Sequence, residues 1–351
     1  MIFENHRSTQ SSKSRLFRSS ADRPLELLQQ CPVYEPTPLR DLSTLAEECR
    51  VASLQVKDET KRMQLGSFKA LGGAFAVAQI VKDAAGTADL MGEHAKQVAS
   101  GMTFITASAG NHGLSVAAGT HIFGANGIIV LCASVPEGFA NRIRRAGAEV
   151  VHVKGSYEDS VSHAIKTAHE NDWILLADGS WQGYIERPAL VMEGYTILAE
   201  ECRATFDEND SWPDHVLVQA GVGGLASALA ANIREYWPVQ PIIAVVEPDA
   251  APCLITSIEA GELKRVDGPV SNMGRLDCKD ASLIAFEALR MDADRFVTVT
   301  DDEASAAADT LAKHGIVTTP SGAAALAALK NMQLPASARC LLIATEGPEE
   351  G

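Results

Sequence analysis

In LGSFKALGGAFAV, residues 65–77, Lys69 stands between a Gly-Ser-Phe turn and a run of small residues. A lysine on an apolar wall has its charged form disfavoured, so its pKa falls and the free amine becomes a nucleophile able to form a Schiff base. The everyday alternative is a surface lysine whose stem follows an apolar face while its head reaches water. TASAGNHGLS, residues 106–115, carries Ser108, Ala109, Gly110, Asn111 and His112 between a strand-like and a helix-like run. Such a turn offers N–H groups and hydroxyls to an anion such as a carboxylate, or is simply a helix start capped by Ser108 or Asn111. QAGVGGLA, residues 219–226, repeats the arrangement with Gly221, Val222, Gly223, Gly224 and Leu225. It has no lysine and is no Walker loop, but its glycines can turn N–H groups toward a phosphate. It also fits G-x-G-x-x-A, and Glu247 ends the next apolar run, where a ribose-binding acid would stand. On that site alone, an NAD-dependent dehydrogenase is the rival from another reaction class.

These sites need strand-to-helix junctions, and the surrounding pattern supplies them. TFITAS, GIIVLCAS, EVVHVKG and WILLADGS are β-rich runs separated by helical ones between residues 103 and 180. A second series follows FDENDSWPD at 206–214: the strand HVLVQAG, a helix, the strand PIIAVVEPD, then RFVTVT, two helices and ARCLLIATEG. The reading is α/β, two units of mostly parallel sheet flanked by helices with a cleft between them.

The chain has 351 residues, 46% hydrophobic and 21% charged, with a net charge of −15. That balance is globular and short of the cations a nucleic-acid surface needs. No apolar run approaches the roughly 20 residues that span a bilayer, and residues 1–20 lack the apolar core of a secretory signal. The polar, Ser- and Arg-rich start reads as a disordered tail over residues 1–25. Seven scattered cysteines, without C-x-x-C, suit a reducing, cytoplasmic setting better than disulfides or a metal site.

In order, PTPL at 36–39, Ser-Phe-Lys at 67–69, SAGNH at 108–112, the glycine loop, PSGA at 320–323 and ATEG at 344–347 resemble the fold-type II pyridoxal-phosphate (PLP) enzymes. That group includes threonine and serine dehydratases, cysteine synthase and diaminopropionate ammonia-lyase. FKALGGAFAV, WQGYIERPALVMEGY, VVEPDAAPCL and TTPSGAAALAAL look most like the ammonia-lyases. The resemblance runs from about residue 36 to the C-terminus. It implies a large PLP-binding domain of residues 26–71 and 193–351, a smaller mobile domain of residues 72–192, and a homodimer. It further implies α,β-elimination on a small amino acid, 2,3-diaminopropionate with the L-isomer preferred, giving pyruvate and ammonia. By position, Lys69 matches the Schiff-base lysine, Asn111 the asparagine facing the PLP 3′-oxygen, and Gly221 to Leu225 the phosphate loop. Thr345 matches the Ser or Thr that bonds the pyridine nitrogen, and Ser108 to His112 the segment that anchors the α-carboxylate. A hydroxyl at that nitrogen makes the ring a weaker electron sink, which suits β-elimination better than transamination.

Two departures stand out. The family aspartate before Gly-Asn-His, base toward the D-isomer, is Ala109 here, whereas the aspartate associated with the L-isomer is present as Asp178. The chain also stops at Gly351, where relatives continue into another helix. Bland readings remain beside the sharp ones. Asp178 can be a strand-end turn residue and His112 a structural turn histidine. Ser321 can cap a helix or neighbour the pyridine ring, and NMGRLD at 272–277 can border the site. The alternatives to the ammonia-lyase are a serine/threonine or 3-hydroxy-amino-acid dehydratase, a β-replacement synthase and the dehydrogenase.

Overall fold

A computed structural model describes residues 1–7 and 15–348. Its first part holds β1 (Ile2–Glu4), α1 (Asp22–Leu28), β2 (Leu39–Asp41), α2 (Ser43–Cys49) and β3 (Ser53–Asp58), then a 3₁₀ turn, Arg62–Gln64. The middle part runs α3 (Lys69–Ala85), α4 (Glu93–Ser100), β4 (Thr103–Ala107), α5 (Asn111–Phe123), β5 (Asn126–Cys132), α6 (Glu137–Arg145), β6 (Glu149–Val153), α7 (Tyr157–Asn171) and β7 (Ile174–Leu175). The long α8 (Glu186–Asn209) leads into β8 (His215–Gln219), α9 (Gly224–Tyr236), β9 (Ile242–Pro248), α10 (Cys253–Ala260) and α11 (Leu283–Asp292). The chain closes with β10 (Arg295–Val299), α12 (Asp301–Lys313), α13 (Pro320–Asn331) and β11 (Arg339–Ala344).

Two sheets result, as the alternating pattern implies. A seven-stranded sheet has the order β1-β10-β9-β8-β11-β3-β2, parallel except at its two antiparallel edges. A four-stranded sheet, β6-β5-β4-β7, is parallel throughout. Every residue of β8 is buried, because helices cover both faces of a parallel sheet and leave no polar side. α12 and α13 pack on one face of the large sheet around Leu217, Val246 and Leu342. The main core lies on the other face and runs through α3, α5, α8 and α9.

Local chemistry sets the helix ends. Ser156 with Asp159, and Thr300 with Glu303, form reciprocal capping boxes before α7 and α12. Small residues let α3 approach its neighbours: a Cβ on Gly73 would strike the Ser115 side chain of α5, and one on Gly194 of α8 would sit 2.7 Å from the Leu71 carbonyl.

The start of the chain differs from the disordered tail expected over residues 1–25. β1 pairs with β10, the Arg15 guanidinium sits 2.7 Å from the Asp292 carboxylate, and Phe17 and Ala21 are buried in the main core. Apolar residues spaced through a polar stretch find partners far along the chain. Residues 8–14 of that tail lie outside the described residues. The expected junctions at 71/72 and 192/193 fall inside α3 and α8, which pack against each other.

Candidate active site

The Ser108 and Gly221 loops and Thr345 lie at the carboxyl ends of parallel strands, the usual ligand position in open α/β sheets. The Ser108 loop leaves β4 for α5, the Gly221 loop leaves β8 for α9, and Thr345 follows β11. Lys69 opens α3 and is positioned by backbone pairing between two distant segments. The Phe68 N–H donates to the Thr345 carbonyl at 3.1 Å, and the Gly347 N–H to the Gly66 carbonyl at 2.9 Å. Ser67 and Glu346 form a bridge between them.

The Lys69 ammonium lies 2.5 Å from a carboxylate oxygen of Asp178. It is 5.4 Å from the ring centre of Phe68 and 5.8 Å from that of Tyr195. The two side chains are 21% and 26% exposed, so a ligand can reach them. Asp178 is held on a turn bolted to α11: the Ser180 hydroxyl stands 2.7 Å from that of Ser282 and accepts the Ile284 N–H at 2.9 Å. Here the expected depression of the lysine pKa is reversed. Burial works against the ammonium, but Asp178 outweighs it and raises the lysine above its usual value. Burial likewise opposes the Asp178 carboxylate, and the Lys69 ammonium pulls it well below the usual range. The apolar neighbours were legible in the sequence and Asp178 was named through the family resemblance, but its direct contact with Lys69, 109 residues away, was not.

The Ser108–Asn111 turn opens α5, whose first N–H groups lack intrahelical partners. The Gly110 N–H turns to the Ser108 hydroxyl at 3.3 Å, and the Asn111 amide donates to Glu346 at 2.8 Å. Ala109 offers only a methyl. His112 takes the bland reading. It is 3% exposed, its Nε2 donates to the Leu176 carbonyl at 2.8 Å, and burial lowers its pKa, so the ring is a neutral structural anchor. Within the Ser108–His112 segment its side chain therefore points into the fold and bonds the backbone of β7's end rather than the turn. Ser321 is not the cap of α13: Thr319 accepts the Gly322 N–H, while the Ser321 hydroxyl accepts the Arg275 N–H at 3.1 Å. NMGRLD does border the site, since Arg275 Nη1 lies 2.8 Å from where a Gly110 Cβ would be.

Thr345 is buried and its hydroxyl lies 3.2 Å from Gln219 Nε2. The same nitrogen faces the carbonyls of Ser321, Gly322 and Ile343 at 3.0–3.2 Å. Three carbonyls fix it as the donor end of the amide. The Thr345 oxygen therefore accepts, and its own proton is left for another acceptor.

The Gly221–Leu225 loop is shaped as a cradle. Gly223 has φ +99°, which favours glycine, and a Cβ on Gly221 would come 2.9 Å from the Cys278 sulfur. The buried Tyr195 hydroxyl has no hydrogen-bond partner among the described residues. Its ring lies 3.6 Å from where a Gly224 Cβ would be, beside this cradle. A reachable amine, a glycine cradle at a helix start, an orphaned buried hydroxyl and a hydroxyl with a proton to donate fit an aldehyde-bearing, phosphorylated pyridine. They do not fit the dehydrogenase reading. Glu247 is 1% exposed and both its oxygens accept N–H groups of α10, from Leu254 and Ile255 at 2.8 Å. Burial pushes its carboxyl up to about 8, against those two bonds. It closes a helix start and cannot reach a ribose.

The family described as pyridoxal-phosphate dependent enzymes matches residues 31–346. The chain belongs to this family. It is 33% identical over 82% of its length to a diaminopropionate ammonia-lyase of Escherichia coli, of which 74% is covered. A crystal structure of the Escherichia coli diaminopropionate ammonia-lyase, in complex with an aminoacrylate-PLP azomethine reaction intermediate, superposes with a TM-score of 0.86. That alignment has 30% identity and covers 99% of this chain and 93% of the other. A biosynthetic L-threonine dehydratase of Pasteurella multocida is 29% identical over 85% of this chain, which spans only 53% of that relative. As a PLP-dependent enzyme of the lyase class, the protein takes its electronic chemistry from the cofactor and its selectivity from the side chains just described.

Sequence reasoning gave no individual role to four residues at this site, although all stood inside quoted segments: Glu346, Gln219, Tyr195 and Arg275. Glu346 stood in the quoted ATEG, and its 3% exposure is the mark of a partnered carboxylate. Its partners, Asn111 and Thr319, are set by the fold. Among the described residues, no helix is long and apolar enough to cross a membrane.

Proposed function

We propose that the protein eliminates the β-amino group of 2,3-diaminopropionate, releasing pyruvate and ammonia. Lys69 would hold PLP covalently, Gly221 to Leu225 its phosphate, Asn111 its 3′-oxygen and Thr345 its ring nitrogen. When bound, the cofactor supplies the sink for the electron pair left at Cα. The turn from Ser108 to Asn111 holds the substrate α-carboxylate at the start of α5. Lys69 Nζ takes the Cα proton. The electron pair of that C–H bond becomes the Cα–Cβ double bond as the β C–N bond breaks, and Asp178 relays a proton to the departing amine. The enamine product then hydrolyses to pyruvate and a second ammonia.

The observation that carries the reading is the Lys69–Asp178 contact of 2.5 Å, which puts base and acid within one proton transfer of each other. A dehydratase acting on serine or threonine is the second reading, favoured by Ala109, which gives the dehydratase-like SAGNHG in place of the family's base toward the D-isomer, and by the threonine dehydratase relative. The reading further takes residues 72–192 as a smaller unit closing on the remainder, and the protein as a cytoplasmic homodimer. All seven cysteines are free, which fits a reducing compartment. Light scattering of the holoenzyme tests the dimer. Pyruvate release over L- and D-diaminopropionate, serine, threonine and 3-hydroxyaspartate tests the reaction. Highest kcat/KM with L-diaminopropionate is expected, and a preference for serine or threonine selects the dehydratase.

A further inference from the structure

A cavity of about 540 Å³ opens beside the site. Its walls bring together Lys61 from the 3₁₀ turn region, Arg142 and Arg145 from α6, and Arg275, with Asn111 and Glu346 also lining it. In a chain of net charge −15, four cations gathered around one concave space reverse the local field. The single carboxylate among them, Glu346, accepts from Asn111 at 2.8 Å and from Thr319 at 2.7 Å and pairs with Arg275 at 4.0 Å, which leaves the charges of Lys61, Arg142 and Arg145 in excess. No carboxylate of the described residues pairs with Lys61, Arg142 or Arg145. Arg142 is held in place by the Leu65 carbonyl at 3.1 Å, so part of its fork is pre-oriented and the rest is available. Arg275 links this cavity to the Ser108–Asn111 turn by its approach to Gly110.

We propose that this cavity is a subsite for a second carboxylate next to the amino-acid site, carried on the substrate or on a small dicarboxylate bound alongside it. Planar guanidinium forks match carboxylate geometry and can bind it through two parallel charge-assisted bonds. The charges of the site are then divided. Asp178 stands where a β-ammonium is handled, and the cationic cavity lies on the side of Asn111 and Glu346. The lyase reading enters only through the role given to the neighbouring turn.

The test is succinate binding to the PLP-loaded protein by calorimetry at low ionic strength, in the wild type and in Arg142→Gln/Arg145→Gln. Retained cofactor absorbance and near-UV circular dichroism show that the variant is folded. Loss of charge-assisted bonds should weaken succinate by roughly tenfold or more. KM values for 3-hydroxyaspartate and L-serine in the same two proteins identify the source. A rise of similar size for 3-hydroxyaspartate alone marks the carboxylate as the substrate's own. A change in succinate binding alone marks a separate dicarboxylate. The proposal is overturned if neither succinate affinity nor the 3-hydroxyaspartate KM differs between the two proteins. Should no amino acid in the panel be turned over, the lyase reading fails while calorimetry still decides the subsite.

Discussion

Lys69 and Asp178 act as a pair because each fixes the charge of the other. Held as an ammonium against a carboxylate, the lysine is primed to deliver a proton and, once deprotonated, to take one back beside the same acid. Lys69→Ala removes both the covalent tether and the base. Turnover should fall by roughly a thousandfold or more, while PLP still binds through the glycine loop, as dialysis and absorbance would report. A variant keeping a tenth of wild-type turnover sinks the assignment. Ala109 carries the stereochemical prediction, since a methyl cannot accept the Cα proton on its side. L-diaminopropionate should exceed the D-isomer in kcat/KM by about 10²–10⁴-fold, the worth of one positioned base, and Ala109→Asp should recover part of the D-activity. Equal rates with both isomers, or full L-turnover in Asp178→Asn, would overturn this assignment.

The loops between strands and helices are the elements that make the site. Gly223→Asp would force a side chain onto a residue at φ +99°, with its Cβ 2.8 Å from that of Ala285, and set a carboxylate beside a phosphate. PLP affinity should collapse, seen as loss of visible absorbance on gel filtration, with far-UV circular dichroism retained; full cofactor occupancy would place the phosphate elsewhere. These loops were legible in the sequence because their signals are local: a buried β run, glycines, then a helical run. α8 was not. Its 24 residues are buried along much of their length, so no polar stripe alternates with an apolar one. The partners in the site were hidden for a related reason. Asn111 finds Glu346 across 235 residues, and Gln219 reaches Thr345 across 126. Pairings at such separations come from sheet order, which local spacing does not encode. The ribose reading of Glu247 failed in the same way, because the strand end was right and the helix that its carboxylate caps was invisible.

At the scale of the molecule, a buried charge network braces the sheet against the helices that carry the site. Lys57 of β3 and Arg62 of the 3₁₀ turn both pair with Glu201 of α8, at 2.6 and 2.7 Å, and Arg62 also pairs with Glu59 at 2.7 Å. Arg62 is fully buried, so its charge depends wholly on these partners. The network lies between the large sheet, the turn leading to Lys69 and the helix bearing Tyr195, and it holds the Lys69 turn and the Tyr195 helix to one frame. Glu201→Gln leaves Arg62 with the carboxylate of Glu59 alone and the buried Lys57 with only the Thr37 carbonyl at 2.6 Å. Breaking a buried pair on one side costs about 3–5 kcal/mol, a drop in melting temperature of about 4–7 °C for a chain of this size. Burial opposes the Glu201 carboxylate, but Arg62 and Lys57 outweigh it and hold its pKa below the usual value. Its folded pKa is therefore lower than its unfolded one, near 4.3. The stability it contributes is complete above that unfolded value and is lost as pH falls toward the folded one. Wild-type melting temperature should accordingly drop on acidification below about pH 4–5, and the Gln variant, already destabilised at pH 7, should lose less over the same step. Scanning calorimetry of both proteins from pH 7 to pH 3 decides it. Parallel profiles, or a variant as stable as the wild type at pH 7, would mean that the frame is held by the apolar core alone.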